Sequence, residues 1–226
     1  MPTILQHIVN RLIADPVGYL QTILYTIKYI LNELKRTKRF NKRTQLFAYS
    51  LSQSRLNGLV LEFGVASGGT TNYLASLIPN EVVFGFDCFT GLPEKWGMFP
   101  KGYFKTEGLP PVRENVKLVP GLFQNTLGKF LQEYKEKARF IHIDADLYSS
   151  TIYVLKTLIE EKRIQEGTVI QFDELFNCLN WWKSGEYKAL QELTNKYQIK
   201  YEILGYSLYK GCGSGQVAIK IKKLSC

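Results

Sequence analysis

The sequence predicts an α/β fold: a mostly parallel, doubly wound sheet of seven strands with helices ahead of the first strand. From Leu59 onward, short apolar runs alternate with segments of helical periodicity, which is typical of successive βα units. The chain has 226 residues with 45% hydrophobic content, enough for a sizeable core. The last two strands leave no room for a helix between them because residues 205–215 look turn-like, so we expect them to pair antiparallel.

Residues 1–58 are expected to form a helical segment, and residues 59–226 the main domain. Asp15 is a predicted helix cap and Pro16 suits the first turn that follows it. Apolar residues then recur at helical spacing along one stripe: Leu20, Ile23, Leu24, Ile27, Leu31 and Leu34. A shorter helix is predicted from the apolar residues between Ile4 and Leu12. The stripe needs a partner, and three interpretations are open: packing on the main domain, a dimer contact, or a lid over a cleft.

In the main domain the expected strands lie near residues 59–63, 82–86, 116–119, 140–143, 168–172, 201–204 and 216–221. The clearest helices are predicted over residues 70–78, 124–135, 150–160 and 186–197, with Ser149 and Ser150 as candidate caps of the third. Residues 90–113 are rich in Gly and Pro and are expected to form a long functional loop.

The formal net charge of +9 would allow anionic partners. Nucleic-acid binding, however, requires charge gathered on a face with groups that read bases, and no such pattern is present. One basic cluster stands out: Lys35, Arg36, Lys38, Arg39, Lys42 and Arg43. We interpret it first as a solvated helix end, and alternatively as a patch for a phosphorylated or membrane-borne substrate.

The four cysteines are scattered and lack the spacing of metal ligands, which favours a reducing compartment. No signal-peptide pattern and no apolar run of membrane-spanning length are found. The sequence therefore predicts a soluble, cytoplasmic protein.

A glycine-rich loop follows the first strand, in the run Leu61-Glu62-Phe63-Gly64-Val65-Ala66-Ser67-Gly68-Gly69-Thr70-Thr71. Its small residues would let the backbone approach a ligand, and the next helix presents free N–H groups. The dinucleotide pattern Gly-x-Gly-x-x-Gly is absent, so nicotinamide binding is disfavoured. The second strand ends at Asp87, which could accept both hydroxyls of a ribose. A structural turn at the loop, and a capping role for Asp87, are the alternatives.

Four carboxylates follow two neighbouring strands. Asp144 and Asp146 end the fourth strand, and Asp173 and Glu174 end the fifth, so parallel pairing would bring them to one sheet edge. Such a cluster repels itself unless a cation lies among its members. Oxygen ligands favour Mg²⁺, Mn²⁺ or Ca²⁺, and the alternative is that these acids are caps and solvated loop ends.

The loop pattern Glu-x-Gly-x-x-x-Gly resembles the cofactor loop of class I S-adenosylmethionine methyltransferases. The resemblance implies that Glu62 contacts the ammonium of the methionine end. It also implies that the loop wraps the cofactor with Gly64, Val65, Ala66, Ser67 and Gly68.

A closer resemblance covers about residues 59–221. It is carried by Phe86-Asp87-Cys88-Phe89-Thr90-Gly91-Leu92-Pro93, Gly121-Leu122-Phe123-Gln124-Asn125-Thr126-Leu127, Ile143-Asp144-Ala145-Asp146-Leu147-Tyr148-Ser149-Ser150-Thr151 and Phe172-Asp173-Glu174. In this order the runs resemble the macrocin and mycinamicin sugar O-methyltransferase family. The resemblance implies a Rossmann-like domain, S-adenosylmethionine and Mg²⁺ (or Mn²⁺).

The same resemblance implies the site residues. Asp144, Asp173 and Glu174 would ligate the metal, although the family commonly has two aspartates where this chain has Asp173-Glu174. Asp146 would be the general base. The segment over the adenine would supply Gly121, Phe123 and Gln124.

The expected reaction is methyl transfer to a hydroxyl of a sugar or glycoside, with a vicinal diol as acceptor. The alternatives are a catechol-type O-methyltransferase and a non-catalytic module that binds S-adenosylmethionine and uses the N-terminal stripe for assembly, including a homo-oligomer. His142 is expected to be structural. Trp181, Trp182 and Tyr187 would line an acceptor pocket or pack in the core, and a lid would use Trp96, Phe99, Tyr103 and Phe104.

Overall fold

The protein is described by a computed structural model over residues 15–97, 99–208 and 214–224. Its helices in this range are α1 Pro16–Asn32, α2 Arg43–Gln53, α3 Gly69–Leu77, α4 Phe123–Glu133, α5 Tyr148–Glu160 and α6 Gly185–Lys196, with a 3₁₀ turn at Trp181–Lys183. Its strands are β1 Lys38–Phe40, β2 Leu59–Phe63, β3 Val83–Asp87, β4 Val116–Pro120, β5 Ala138–Ile143, β6 Val169–Phe176, β7 Lys200–Leu208 and β8 Gly215–Lys223.

The strands form one sheet in the order β1-β7-β8-β6-β5-β2-β3-β4. The central pairs are parallel, and β8 runs antiparallel to both β6 and β7, as predicted. The predicted count of seven was wrong, because β1 adds an eighth strand at the edge, parallel to β7. This strand has only three residues, two of them basic, and therefore carries no apolar pattern that would predict it.

The core lies on both faces of the sheet because successive side chains of each strand point to opposite sides. In β2, Leu61 and Phe63 pack into the larger apolar cluster, whereas Val60 packs into the smaller one on the other face. In β5, Ile141 and Phe140 divide in the same way. Burial on both faces explains why these strands are continuous apolar runs in the sequence.

Helix α1 begins as predicted, because the Asp15 carboxylate accepts a hydrogen bond from the Gly18 N–H at 2.8 Å. It docks, however, with the face opposite to the apolar stripe: its buried residues are Gly18, Thr22, Thr26 and Tyr29. Of the predicted stripe, Leu34 is buried, and the remainder is exposed: Leu20, Ile23, Leu24, Ile27 and Leu31. The helix predicted between Ile4 and Leu12 lies outside the described residues.

Two local predictions were wrong. Helix α5 begins at Tyr148 after Leu147, so Ser149 and Ser150 lie in its first turn and do not cap it. Strand β7 continues through residues 205–208, where a turn was expected, since pairing with β8 extends that far. The loop over residues 90–113 is irregular as predicted, with one bridge between Trp96 and Phe99 among its described residues. In the described ranges, no helix is both long enough and apolar enough to cross a membrane.

Candidate active site

The carboxyl ends of β2, β3 and β5 meet where the chain leaves the sheet. Gly64 N–H donates to the Phe86 carbonyl at 2.9 Å, and Asp144 N–H donates to the Phe63 carbonyl at 2.8 Å. Gly64 has a φ of +102°, and a Cβ there would lie 1.8 Å from the Asp144 carbonyl oxygen. Only glycine fits at position 64, because it tolerates positive φ and has no Cβ.

Asp87 connects the end of β3 to the glycine-rich loop. One carboxylate oxygen accepts from Val65 N–H at 2.9 Å and Ala66 N–H at 2.8 Å, and the other accepts from Phe89 N–H at 2.7 Å. Each carboxylate oxygen has two lone pairs, so these contacts leave acceptor capacity toward a ligand. Asp87 therefore positions the loop and still faces the space beside it.

That space is a cavity of about 260 Å³ at the carboxyl edge of the sheet. The predicted site residues among its walls are Gly64, Ala66, Asp87, Gly121, Phe123, Gln124, Asp144, Asp146 and Glu174. The other walls include Cys88, Leu92, Trp96, Phe104 and Ser150. Sequence segments separated by up to 110 positions, from Gly64 to Glu174, thus meet around one cavity.

A second cavity of about 370 Å³ adjoins the first, since both are lined by Ala66 and Asp144. Its walls include two further predicted loop residues, Val65 and Ser67, and also Arg43 from the start of α2. The Arg43 guanidinium donates to the Thr70 hydroxyl at 2.8 Å. This second space therefore combines a cation with the loop and with the start of α3.

Three predicted site residues lie behind the cavity walls. Glu62 is fully buried, accepts a hydrogen bond from the Thr71 hydroxyl and lies 2.9 Å from His142 Nδ1. Gly68 precedes α3 with a left-handed φ of +80°. Asp173 is buried beside the cavity. Among the described residues that line the two cavities, none of these three is present.

The buried Asp173 carboxylate has three polar neighbours at its Oδ1 atom. Its Oδ1 accepts from the Gln216 side-chain amide and lies 3.3 Å from Arg43 Nη2 and 3.7 Å from His142 Nε2. Burial alone would raise its pKa, but the nearby His142 imidazole and the charge of Arg43 together outweigh burial and lower the pKa of Asp173. Asp173 is thus held as an anion.

The other three carboxyls have raised pKa values, each chiefly because burial disfavours the charged form. Asp173 adds repulsion at Asp144, whose pKa is well above its usual range. The pKa of Asp146 is raised to about 7, with added repulsion from Asp173 and Asp87. The pKa of Glu174 is raised to about 8, with added repulsion from Asp146 and Asp173. The cluster therefore holds protons near neutral pH, and a bound cation would replace them.

The arrangement fits a divalent cation. His142, Asp144 and Asp173 each offer a ligand atom, and these atoms all lie within 4.8 Å of one another. His142 Nε2 has no hydrogen-bond partner within the described part of the chain, and a buried orphan of this kind is costly. An imidazole in place of a third carboxylate widens the choice of metal from Mg²⁺ toward Mn²⁺ and other transition metals.

The backbone at Asp146 is unusual. Its φ is +56°, in the left-handed region that Asp adopts more readily than most residues. It lies outside the trio of candidate ligands but lines the same cavity as Asp144. Non-glycine residues with a left-handed backbone conformation occur often at functional sites.

Sequence reasoning missed three residues near the site. Arg43 was assigned to a basic cluster, interpreted as a solvated helix end or an anionic-substrate patch, and His142 was interpreted as structural rather than as a base. Glu186 is buried at the start of α6 and accepts a hydrogen bond from Glu174 N–H at 2.9 Å. An acid at the start of the predicted helix 186–197, followed by apolar residues at helical spacing, was the available signal for Glu186.

The two aromatic groups considered in the sequence lie in different places: one packs beside helix α1, and the other contributes rings to the first cavity. Trp181 is buried and donates through Nε1 to the Thr26 hydroxyl at 3.1 Å, and Trp182 stacks on Tyr25 with ring centroids 4.2 Å apart. These contacts favour the packing interpretation over the acceptor pocket. Trp96 and Phe104 from the long loop line the cavity, and both rings pack against Phe99.

Comparisons with known proteins agree with this architecture. A family model described as a methyltransferase domain matches residues 61–175, which span just over half of the chain. A search of curated protein sequences gives no match. Among solved structures, the O-methyltransferase NovP has a TM-score of 0.57 at 19% identity, with 80% of each chain covered.

Two further structures are similar over more of the chain. The TDP-rhamnose 3'-O-methyltransferase CalS11, from calicheamicin biosynthesis, has a TM-score of 0.54 at 20% identity and covers 96% of this chain and 92% of its own. An O-methyltransferase from Bacillus cereus in complex with SAH has a TM-score of 0.53 at 15% identity, covering 91% and 90%. At these identities the likeness concerns the fold.

Proposed function

We propose, because the chain belongs to the methyltransferase-domain family, that it transfers a methyl group from S-adenosylmethionine to a hydroxyl of a sugar or glycoside. The observation that carries the proposal is the cavity of about 260 Å³, which joins the glycine-rich loop, Asp87 and the acids at the sheet edge. In this proposal the cofactor site and the proton acceptor share one cavity.

The cofactor would extend across the carboxyl edge of the sheet, as ligands do in open α/β folds. Asp87 would accept one ribose hydroxyl through the remaining lone pair of Oδ1, and Phe123 and Gln124 would cover the adenine. The methionine end would lie beside the loop, toward the cavity that Arg43 lines. Glu62 accepts a hydrogen bond from Thr71 and lies beside His142, so it would also position these two residues from behind the loop; its contact with the methionine ammonium stays a prediction.

Methyl transfer is an in-line displacement. The acceptor oxygen forms a bond to the methyl carbon while the carbon–sulfur bond breaks, and the sulfonium becomes a neutral thioether. The hydroxyl proton must leave, and Asp146 would take it because its carboxylate lines the cavity beside the loop. Holding the reacting atoms in line supplies much of the rate enhancement, up to about 7–11 kcal/mol in favourable cases.

A divalent cation, when bound, would lower the pKa of a coordinated acceptor hydroxyl. Asp144 and Asp173 would hold it, with His142 or Glu174 as the third ligand. Gln216 and Arg43 fix the orientation of Asp173, which is the role that hydrogen-bonded neighbours play around metal ligands.

The acceptor would approach from the side of the long loop. Trp96 and Phe104 line that side with aromatic rings, on which the apolar face of a sugar or a catechol can stack. The catechol-type reaction is therefore the second candidate function. One sugar-modifying enzyme, CalS11, shares the fold and favours the sugar as first candidate.

The test is a methyl-transfer assay with S-adenosylmethionine labelled in the methyl group. Nucleotide-linked sugars, simple glycosides and catechol would be offered separately, with and without Mg²⁺ or Mn²⁺. We expect label in a sugar hydroxyl and greater turnover with metal. Label in catechol alone would replace the sugar proposal, and cofactor binding without transfer to any hydroxyl acceptor would favour the non-catalytic module.

A further inference from the structure

An ordinary surface helix buries its apolar face, but helix α1 exposes most of its apolar residues to solvent. The residues that it turns toward the domain include two threonines, and both hydroxyls accept hydrogen bonds. Thr22 Oγ1 accepts from Asn180 N–H and Thr26 Oγ1 from Trp181 Nε1–H, each at 3.1 Å. The inner face is therefore held by these hydrogen bonds and by the buried Tyr29, and the apolar stripe lies on the outer side.

The outer side forms a continuous apolar stripe. Its members recur every three or four positions, so they share one arc of the helix: Val17, Leu20, Ile23, Leu24, Ile27 and Leu31. Leu20, Leu24 and Leu31 are 56%, 66% and 58% exposed. Single exposed leucines are ordinary, but a contiguous row of this kind marks an interaction surface.

The segment that contains the stripe, residues 15–43, is also strongly basic. Residues 15–43 carry seven Lys and Arg against two Asp and Glu, so five of the nine net positive charges lie in this segment. Lys28 is exposed on α1, and Lys35, Arg36, Arg39 and Lys42 are exposed just beyond its end. Apolar residues and solvated cations are thus presented by one short segment.

We propose that this segment, residues 15–43, is a docking surface for an anionic lipid bilayer. A helix lying in the plane of the membrane would bury the leucines at the boundary between headgroups and acyl chains, while the lysines and arginines contact anionic headgroups. A second copy is the alternative occupant, and it fits less well because two copies, each with a net charge of +9, repel each other. The surface lies outside the cavity walls apart from Arg43, so docking does not depend on the reaction proposed above.

Sedimentation of the full chain with lipid vesicles tests the proposal. Vesicles of phosphatidylcholine alone would be compared with vesicles that also contain phosphatidylglycerol, at low and high salt. We expect binding to the anionic vesicles, weakened by salt. Equal binding to both, or binding to neither, would overturn the proposal, as would a dimer held by the stripe in analytical ultracentrifugation without vesicle binding.

Paired variants separate the two contributions. Leu24→Asp should lower the vesicle partition coefficient at least about tenfold, whereas Leu109→Asp, at a residue 58% exposed in the long loop, should not change it. Lys35→Glu with Arg36→Glu should lower it by more than about fivefold, and Lys129→Glu with Lys137→Glu should have little effect. Thermal unfolding would show that each variant is folded, and a folded Leu24→Asp variant that still binds fully would refute the surface.

Discussion

The carboxyl edge of the sheet and the outer face of helix α1 break the usual rule of burial in opposite directions. At the sheet edge, four carboxyl groups lie close together and are largely shielded from water: Asp144, Asp146, Asp173 and Glu174. Three of them, Asp144, Asp146 and Glu174, have raised pKa values. On α1, a row of apolar residues is exposed while threonines face the domain. Neither arrangement adds to the stability of the isolated chain.

The difference shows what each region needs from outside. Buried carboxylates require a counter-charge, and an exposed apolar row requires cover from water. The first need suits a small cation and a polar substrate in a cavity, and the second suits an extended apolar surface. Places where a chain departs from local stability rules are the places to look for function.

The largest expected effect is at the sheet edge, for Asp146→Asn. Asn tolerates the left-handed backbone and keeps the size of the side chain, but it cannot accept the proton. We expect turnover to fall by roughly 10²–10⁴-fold. Calorimetry with S-adenosylmethionine should show unchanged cofactor affinity. Full turnover would exclude Asp146 as the base.

The contrast between buried and exposed leucines can be measured on the N-terminal segment itself. Leu34 is 1% exposed and Leu24 is 66% exposed. Leu34→Ala should reduce the free energy of unfolding by about 2–5 kcal/mol, and Leu24→Ala should change it by less than about 0.5 kcal/mol. Urea unfolding would compare them. A large loss for Leu24→Ala would mean that its side chain is covered in solution.

The close approach of Gly64 to the Asp144 carbonyl, just after strands β2 and β5, offers a test of backbone fit. In Gly64→Ala the new Cβ would meet the Asp144 carbonyl at 1.8 Å, and we expect a loss of at least about 1–3 kcal/mol. Gly69→Ala is the matched control, because no atom lies within 4 Å of its added Cβ. Equal stability of both variants in thermal unfolding would contradict the close approach of Gly64 to the Asp144 carbonyl.

A smaller effect is expected from Asp144→Asn, which keeps the shape of a candidate metal ligand and removes its charge. Affinity for Mn²⁺ should fall by at least about 10–100-fold, the loss typical of changing a residue that only orients a metal ligand. Calorimetric titration with Mn²⁺ measures it. Glu133→Gln is a control on the exposed end of α4 and should leave the affinity unchanged, whereas unchanged affinity in Asp144→Asn would remove Asp144 from the metal site.

Much of the fold follows from the sequence. Strands β2 and β5 are buried on both faces, so each is an uninterrupted apolar run, and their predicted positions agree with the structure within two residues. Because neighbouring parallel strands end at one edge, the acids after β5 and near the end of β6 could be predicted to meet. The strand β1, with one aromatic residue and two basic ones, gave no such pattern.

Other features depend on tertiary geometry. Helical periodicity shows which residues share a face of α1, but the hydrogen bonds of Thr22 and Thr26 decide which face turns inward. Arg43 comes to Asp173 only because α2 packs on the sheet. His142 alternates with apolar neighbours, and only the folded structure shows its Nε2 beside two carboxylates.

The central claim is that the cavity at the carboxyl edge is the cofactor site and that Asp146 faces it. The most direct test is a crystal structure of the full chain with S-adenosylhomocysteine. We expect the adenosine against Asp87 and Phe123 and the sulfur on the side of Asp146. A ligand bound elsewhere, or no binding at concentrations that saturate other members of the family, would contradict the account.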